Sequence, residues 1–563
     1  MLQQLPEELL DRILYHVAAF PFVHSPQSPW EEPENSWIPH QFRSTLLDIC
    51  LVSKTLHRLA LPHLYKAFSN QAEKESRVRN SPTPELPACA ISPLHDISVR
   101  YLHTLCARPD YGNLLRSLSF SMKNPLMAFV PRITSHEEHA DLALFSKTAQ
   151  DFWFGATWTE MVQQKLAAGL LAKMPDATMC LVLLMCPNIE TLEIAGANER
   201  GIPKDPLCDS LLTFLLVVNT AQVFSSIAPD EPLQRSLILQ RVQALTFAVR
   251  PLRLIWPELV AVFALPALRI LRIRNLCTMN AGRVAPRGII FGRRHYSEIR
   301  SLELHWISIP GSCVAKLLRW CPNLTMLDAT WGHLTGVHFR DYDCAFHEVG
   351  KAVSEYNPLL VSLKLTDMGL AIGAVASRLR FTLRDLQHLT HVELGRESAW
   401  CHPSNQVDAI NDNLPDSIES LFIAEGARLP DNLPTNDGSP SDCDPRFDVA
   451  CVADPSSPYG HEDFCQCRTR DIRRLLLDER LARLRRVAFS PKSTTATKQG
   501  EKPFHKNEND PHVLRHILTP AVRRRGWKLS EKTTHVGPRS FSEPVLYREL
   551  TDGFEDVPTM SDC

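Results

Sequence analysis

The segment from Ile299 to Ala329 decides the fold, because it contains one whole structural repeat and the start of the next. It begins Ile299-Arg-Ser-Leu302-Glu-Leu304 and ends Leu324-Thr-Met-Leu327-Asp-Ala329. Both hexapeptides have apolar residues at positions one, four and six, the alternation of a short strand with one face in a core. Between them, Val314 to Trp320 carries an apolar helical stripe that Cys321-Pro-Asn323 ends, since proline cannot continue a helix. The segment therefore predicts a strand–helix–strand unit.

The same hexapeptide recurs along most of the chain. From Val242 to Ile418 its starts are 26, 31, 25, 36, 29 and 29 residues apart, close to the period of about 20–29 residues of leucine-rich repeats. We therefore expect an α/β fold in which residues 94–530 form an irregular leucine-rich-repeat solenoid of about ten repeats with a parallel inner sheet. Longer steps imply insertions at about 431–467 and 491–511. The hexapeptides start at Leu115, Ile189, Val242, Leu268, Ile299, Leu324, Leu360, Leu389, Ile418 and Leu484.

Residues 1–68 have a different, helical pattern. Pro6, Glu7 and Glu8 are typical of a helix start, where proline fits and acidic side chains face the positive end of the dipole. A second stripe of aliphatic residues ends at Pro62, which predicts that the helix stops at about Ala60. The stripes are Leu9, Leu10, Ile13, Leu14 and Val17, then Ile49, Val52, Leu56 and Leu59.

These stripes resemble the F-box: Leu5-Pro-x-Glu-Leu-Leu-x-x-Ile-Leu14, then Leu51-Val-Ser-Lys-x-Leu-x-x-Leu-Ala60, then Pro62-x-Leu-Tyr65 as in fungal members. The chain departs from the family by an insertion at 21–41 and by Leu56, where many members have Trp. The resemblance implies an all-helical module that docks on the Skp adaptor of a cullin–RING ubiquitin ligase. Its implied contact residues are Leu5, Pro6, Leu9, Ile13, Leu14, Leu51, Val52 and Leu56.

The remaining segments complete the expected organisation. Residues 69–93 are polar and proline-rich and are interpreted as a connector. Residues 531–563 have few ordered apolar positions, so we expect a partly disordered tail.

Composition limits the partners. A net charge of −2 does not favour nucleic acid or an anionic membrane as partner, and no apolar run reaches the roughly 18 residues that span a bilayer. The 16 cysteines, several in apolar surroundings, suit a reducing compartment. We therefore expect an intracellular protein of the cytoplasm, the nucleus or both.

No constellation typical of catalysis, a cofactor or a metal is found. The chain has no glycine-rich phosphate loop, nucleophile elbow or zinc-protease helix, so we expect no enzyme. His136 and His139 are interpreted as surface residues. One cluster of possible zinc ligands has spacings that fit poorly, so we interpret it as a loop: Cys443, Cys451, His461, Cys465 and Cys467.

Arginines are dense from Arg468 to Arg486 and alternate with leucines. An amphipathic helix with a solvated arginine face explains this pattern, and capture of a phosphate or an acidic peptide is the alternative.

The fifth hexapeptide position is expected to face outward from the inner sheet. Charges of both signs are mixed there, which suits a protein partner better than a polyanion. We therefore expect these residues to bind substrate, although a merely solvated face would also be polar. They are Glu193, Arg272, Glu303, Asp328, Lys364 and Glu393.

The resemblance and the repeats together favour a substrate-recognition adaptor of an SCF-type ubiquitin ligase. It would bind the Skp adaptor, and through it cullin, and would also bind an unidentified protein substrate. A repeat scaffold acting outside a ligase is the alternative, and an enzyme is the weakest reading.

Overall fold

The structure is a computed structural model of the 563-residue chain. Its coordinates divide into two units, residues 1–268 with 554–563, and residues 269–553. The residues that it describes are 5–19, 40–69, 93–121, 144–145, 147–148, 175–195, 239–248, 262–263, 265–274, 276, 297–307, 309, 311–331, 345–367, 383–395, 414–424, 475–489, 520–536 and 539–548.

The first unit begins with three helices, which we call the head: α1 (Glu7–Ala19), α2 (His40–Val52) and α3 (Lys54–Tyr65). The second predicted stripe is therefore split between two helices. The break falls at Ser53, whose hydroxyl oxygen accepts a hydrogen bond from the Leu56 backbone nitrogen at 3.2 Å. This N-cap satisfies a backbone donor that the first turn of α3 leaves free.

The prediction that Pro62 ends its helix is wrong. α3 continues through Pro62 to Tyr65. Leu64, two residues beyond the proline, is buried in the head core with Leu14 and Leu46. Burial of such a side chain contributes about 1.5–3 kcal/mol, which offsets much of the cost of the missing proline hydrogen bond.

A parallel sheet follows the head within the first unit. Its strands lie in sequence order, β1 beside β2, β2 beside β3 and β3 beside β4, and all three pairs are parallel. The sequence reading missed β1, which begins two residues after α3 and crosses the expected boundary at residue 68. The elements are β1 (Ala67–Ser69), α4 (Pro93–Ala107), a 3₁₀ helix (Pro109–Leu114), β2 (Ser117–Ser121), α5 (Pro175–Met185), β3 (Thr191–Ala195) and β4 (Ala244–Ala248).

The second unit continues the same plan with seven parallel strands in sequence order. Two helices are described between these strands, one after β6 and one after β7. The elements are β5 (Ile270–Arg274), β6 (Ser301–Ile307), α6 (Gly311–Arg319), β7 (Met326–Trp331), α7 (Ala345–Tyr356), β8 (Ser362–Asp367), β9 (His391–Gly395), β10 (Ser420–Ala424) and β11 (Arg486–Phe489).

The hexapeptides are confirmed as the strands of a mixed α/β fold. In all ten, the strand begins at the third position, from Ser117 in the first to Arg486 in the last. Side chains at positions one and four are at most 2 % exposed in every repeat. The alternation read from the sequence therefore identifies both the strands and their buried face.

A β-hairpin closes the second unit. α8 (Pro520–Arg524) precedes β12 (Trp527–Val536), which pairs antiparallel with β13 (Arg539–Arg548), and β13 pairs antiparallel with β11. Residues 531–536 and 539–548 of the tail that was expected to be partly disordered are therefore strands, and for the rest of the tail the expectation stays a prediction. The edge of β11 would otherwise leave unpaired backbone groups, and the hairpin satisfies them.

The predicted helix from Arg468 to Arg486 is also wrong beyond Leu477. Residues 475–477 are helical, a turn follows, and β11 starts at Arg486. The Asp478 carboxylate accepts a hydrogen bond from the Arg480 backbone nitrogen at 2.9 Å, and such a local bond competes with helix continuation.

Several predictions fall on residues that the structure does not describe. They include the insertions at 431–467 and 491–511 and the pair His136 and His139. Of the helices that are described, none has both the length and the apolar character needed to cross a bilayer.

Gly112 in the 3₁₀ helix generates a stability prediction. A Cβ at this position would overlap the backbone carbonyl oxygen of Met185, which ends α5. Backbone cannot swing aside, so Gly112→Ala should lower the free energy of unfolding by about 1–3 kcal/mol. Denaturant unfolding measures the change. Asp110→Ala, which removes only an exposed ion pair in the same 3₁₀ helix, is the control and should change the free energy of unfolding far less; equal effects would contradict the close approach.

Candidate functional site

The polar side of α1 faces α3 rather than solvent alone. Glu7 forms an ion pair with Arg58, and the Asp11 carboxylate lies 2.9 Å from His63 Nε2. Glu7 and Asp11 are one helical turn apart, so the two contacts align α1 along α3.

The buried side of α1 packs into the head core. Leu14 contacts a cluster formed by Leu46 of α2 with Ala60 and Leu64 of α3. All four residues are at most 6 % exposed. Leu10 of α1 and Leu56 of α3 are buried as well. These side chains hold the three helices together.

The remaining side of α1 and the outer side of α2 are apolar and exposed. Leu9 and Ile13 of α1 are four residues apart, which places these two exposed side chains on one stripe of the helix. Leu47 and Leu51 have the same spacing on α2, and Leu51 is the most exposed at 85 %. We call this set the head apolar surface; its members are 36–85 % exposed and comprise Leu5, Leu9, Ile13, Leu47, Leu51 and Val52.

The residues expected to contact the adaptor divide into two groups. Leu5, Pro6, Leu9, Ile13, Leu51 and Val52 are exposed. Leu14 and Leu56 are buried in the head, so they position the exposed side chains and are not contacts themselves. Sequence reasoning missed Leu47, although its spacing of four residues from Leu51 is a signal that could have identified it.

The head is joined tightly to the first repeat. The Lys66 carbonyl oxygen, directly after α3, accepts hydrogen bonds from the backbone nitrogens of Arg116 and Ser117 at 2.8 and 3.0 Å. The Phe68 ring of β1 stacks on Tyr101 of α4 with centroids 3.9 Å apart. Head and first strands therefore share one packed interface.

The second candidate surface is a row of charges across five neighbouring strands of the second unit. The register places Arg272, Glu303, Asp328, Lys364 and Glu393 side by side on β5 to β9. We call them the charged row. The sixth expected residue, Glu193, lies on β3 of the first unit between Ser119 and Thr246.

Members of the charged row pair with one another. Arg272 Nε donates to Glu303 Oε2 at 2.8 Å. Lys364 Nζ lies between two carboxylates, 3.6 Å from Asp328 Oδ2 and 3.4 Å from Glu393 Oε1. The row is thus largely neutralised within itself.

Burial and neighbouring charges set the titration of the carboxyls. Burial raises the pKa of Glu303, but His305 at 3.7 Å and Arg272 lower it by more, so the net pKa lies below its ordinary value. For Asp328, burial raises the pKa and Lys364 offsets this only in part. The buried Asp328 Oδ1 has no hydrogen-bond partner, in line with that raised pKa.

The expectation that the fifth position is open to solvent therefore needs correction. Asp328 and Glu393 are at most 9 % exposed, and both lie beside Lys364 in the register. Reversing the charges of Arg272, Glu303 and Lys364 together would keep an ion pair between positions 272 and 303, with the two charges exchanged. It would also place three carboxylates in contact at Asp328, position 364 and Glu393. Such a variant would lose stability, so it does not isolate a binding role.

Within the described ranges, no group of three His, Cys, Asp or Glu side chains could hold a metal ion. The cysteines and histidine between 443 and 467 lie outside those ranges. In comparisons with known proteins, neither a family model nor a curated protein matches this chain.

Lys364 gives a pH-dependent prediction. Lys364→Met should lower the free energy of unfolding by roughly 3 kcal/mol near neutral pH, because two largely buried carboxylates lose their shared cation. Burial already raises the pKa of Asp328 and Lys364 only partly offsets this, so without the lysine the loss should shrink as the pH falls from about 7.5 to about 4.5 and Asp328 takes up a proton. Chemical denaturation at several pH values measures both effects.

The exposed Lys351 of α7 supplies the control, since Lys351→Met removes the same charge from the same unit. Its effect should be within about 0.5 kcal/mol and independent of pH. A pH-independent loss at Lys364 would contradict the shared ion pair.

Proposed function

We propose that this chain is a non-catalytic substrate-recognition adaptor of an SCF-type ubiquitin ligase. In this proposal the head is an F-box that docks on the Skp adaptor, which connects it to cullin. The repeat units, as an irregular leucine-rich-repeat solenoid, select the protein to be ubiquitinated.

One observation carries the proposal. Glu7 and Asp11 of α1 contact side chains of α3, while Leu9 and Ile13 of the same helix are exposed, whereas a helix on a free surface normally exposes its polar side. An exposed apolar surface of this kind is typical of a protein-interaction site. Six of the eight adaptor contacts that the F-box resemblance implies are exposed, five of them on the head apolar surface.

The way the head is attached supports a role in positioning. Lys66 and β1 tie α3 to the first repeat, so a partner on the head would be held at a fixed distance from anything bound near those strands. A ligase adaptor needs such a fixed geometry, because the substrate must reach the ubiquitin-transfer site.

Point variants test adaptor docking more cleanly than truncation does. Removing residues 1–68 would also remove most of β1 and expose the edge of β2. Leu9→Asp combined with Leu51→Asp changes two exposed side chains and should leave folding intact. It should weaken binding of the purified Skp adaptor at least about tenfold, since charge would enter an apolar contact. Isothermal titration calorimetry measures the affinity.

Leu359→Asp is the control, because Leu359 is about as exposed as Leu9, 45 % against 47 %, but lies in the second unit. It should bind the adaptor as the unchanged chain does. Equal affinity of the control and the double variant for the adaptor would show that the head apolar surface does not bind it.

The alternative is a repeat scaffold that uses the head outside a ligase. Capture of the Skp adaptor together with cullin supports the ligase, whereas capture of the adaptor without cullin supports the scaffold.

A further inference from the structure

Five exposed arginines gather at the end of the second unit, away from the charged row. Three of them lie just before or at the start of β11, and two end α8. We call them the arginine cluster: Arg483, Arg485, Arg486, Arg523 and Arg524.

Backbone pairing brings the two segments of the cluster together. Arg486 of β11 is in register with Tyr547 of β13, which is in register with Lys528 of β12. Two strand spacings, roughly 10 Å, therefore separate the start of β11 from the start of β12, which follows α8. Arg525 Nη2 also donates to Glu479 Oε1 at 3.0 Å, so a side-chain contact ties the same segments.

The cluster lacks compensating charge. Residues 475–489 and 520–528 contain eight Lys or Arg and two acidic residues, a net charge of +6 in a chain whose total is −2. Both acidic residues are already engaged, Asp478 with Arg480 and Glu479 with Arg525. Among the carboxylates that the structure describes, none lies within ion-pair distance of the five cluster arginines.

The chain carries a matching excess of negative charge close by in sequence. Residues 431–463 contain eight acidic residues and one arginine, a net charge of −7. This stretch ends 12 positions before Leu475, a distance that an extended chain spans up to about 40 Å. Covalent attachment also gives it a high effective concentration at the cluster.

We propose that the arginine cluster is the docking site for the acidic stretch 431–463 of the same chain. Guanidinium groups would bind its carboxylates through charge-assisted hydrogen bonds, as Arg480 and Arg525 already bind Asp478 and Glu479. An outside polyanion would have to compete with this tethered stretch for the arginines. The inference is independent of adaptor docking.

The test uses the full chain and a labelled synthetic peptide of residues 431–463 under reducing conditions. A neutralised chain replaces the eight acidic residues of the stretch with Asn or Gln and keeps its length. The peptide should bind the neutralised chain at least about tenfold more tightly than the intact chain, whose cluster is occupied. Fluorescence anisotropy at low salt measures both affinities. Equal affinity for the two chains would overturn the proposal.

Charge variants locate the site. In the neutralised chain, R485Q/R486Q/R523Q/R524Q should weaken peptide binding at least about tenfold. The matched control, R12Q/R241Q/R269Q/R300Q, removes four exposed arginines elsewhere and should keep the affinity within about twofold. Equal losses in both variants would show binding by net charge alone and would overturn the assignment. Thermal unfolding of each variant confirms that it is folded.

A nucleic-acid probe tests whether the arginine cluster binds nucleic acid instead of the acidic stretch. A single-stranded oligonucleotide should bind the neutralised chain and not the intact one. Tight binding to the intact chain that the cluster variant abolishes would mean that the surface is free for nucleic acid, which would overturn self-docking.

Discussion

The repeated strands depend on one backbone interaction, a carbonyl oxygen at the second hexapeptide position that accepts two hydrogen bonds from the next repeat. The donors are the nitrogens at the second and third positions of that repeat, at 2.7–3.1 Å. A shared acceptor fixes strand register before any side chain is considered, because a slip of one residue would break both bonds. Lys66, directly before β1, plays the same part, and the acceptors at the second hexapeptide position are Arg116, Glu190, Arg269, Arg300, Thr325, Val361, Thr390 and Glu419.

Fixed register explains how the side chains pair. Once neighbouring strands are aligned position by position, each fifth-position group faces the fifth-position group of the next repeat, about 5 Å away. Charges in such a row must alternate or share partners, as Lys364 does between Asp328 and Glu393. At the seventh position the same alignment brings Thr330 and Thr366 hydroxyls to 2.9 Å. The pairing of charged side chains along the strands therefore follows from the register of the backbone.

The sequence predicted the features that depend on a local residue pattern and missed those that depend on packing between distant segments. Alternation identified all ten hexapeptide strands, since burial of one face is a local property. It could not show that Ser53 caps a new helix or that packing carries α3 past Pro62, because both depend on the assembled head. Likewise, the fifth position was assigned to solvent without the register that buries Asp328. The motif residues were identified from the sequence, but only the packing of the helices shows that Leu14 is buried and Leu9 is exposed.

The head obeys the same constraint as the repeats, and this bears on its proposed role. Lys66 is the first acceptor of the series, so α3 leads directly into the strand ladder. A helix so anchored has a set orientation, and its side-chain contacts with Glu7 and Asp11 orient α1 in turn. Because Glu7 and Asp11 face α3, the apolar stripe of α1 is left exposed. In the proposed complex, docking would need little reordering of the head, which lowers the entropic cost of binding.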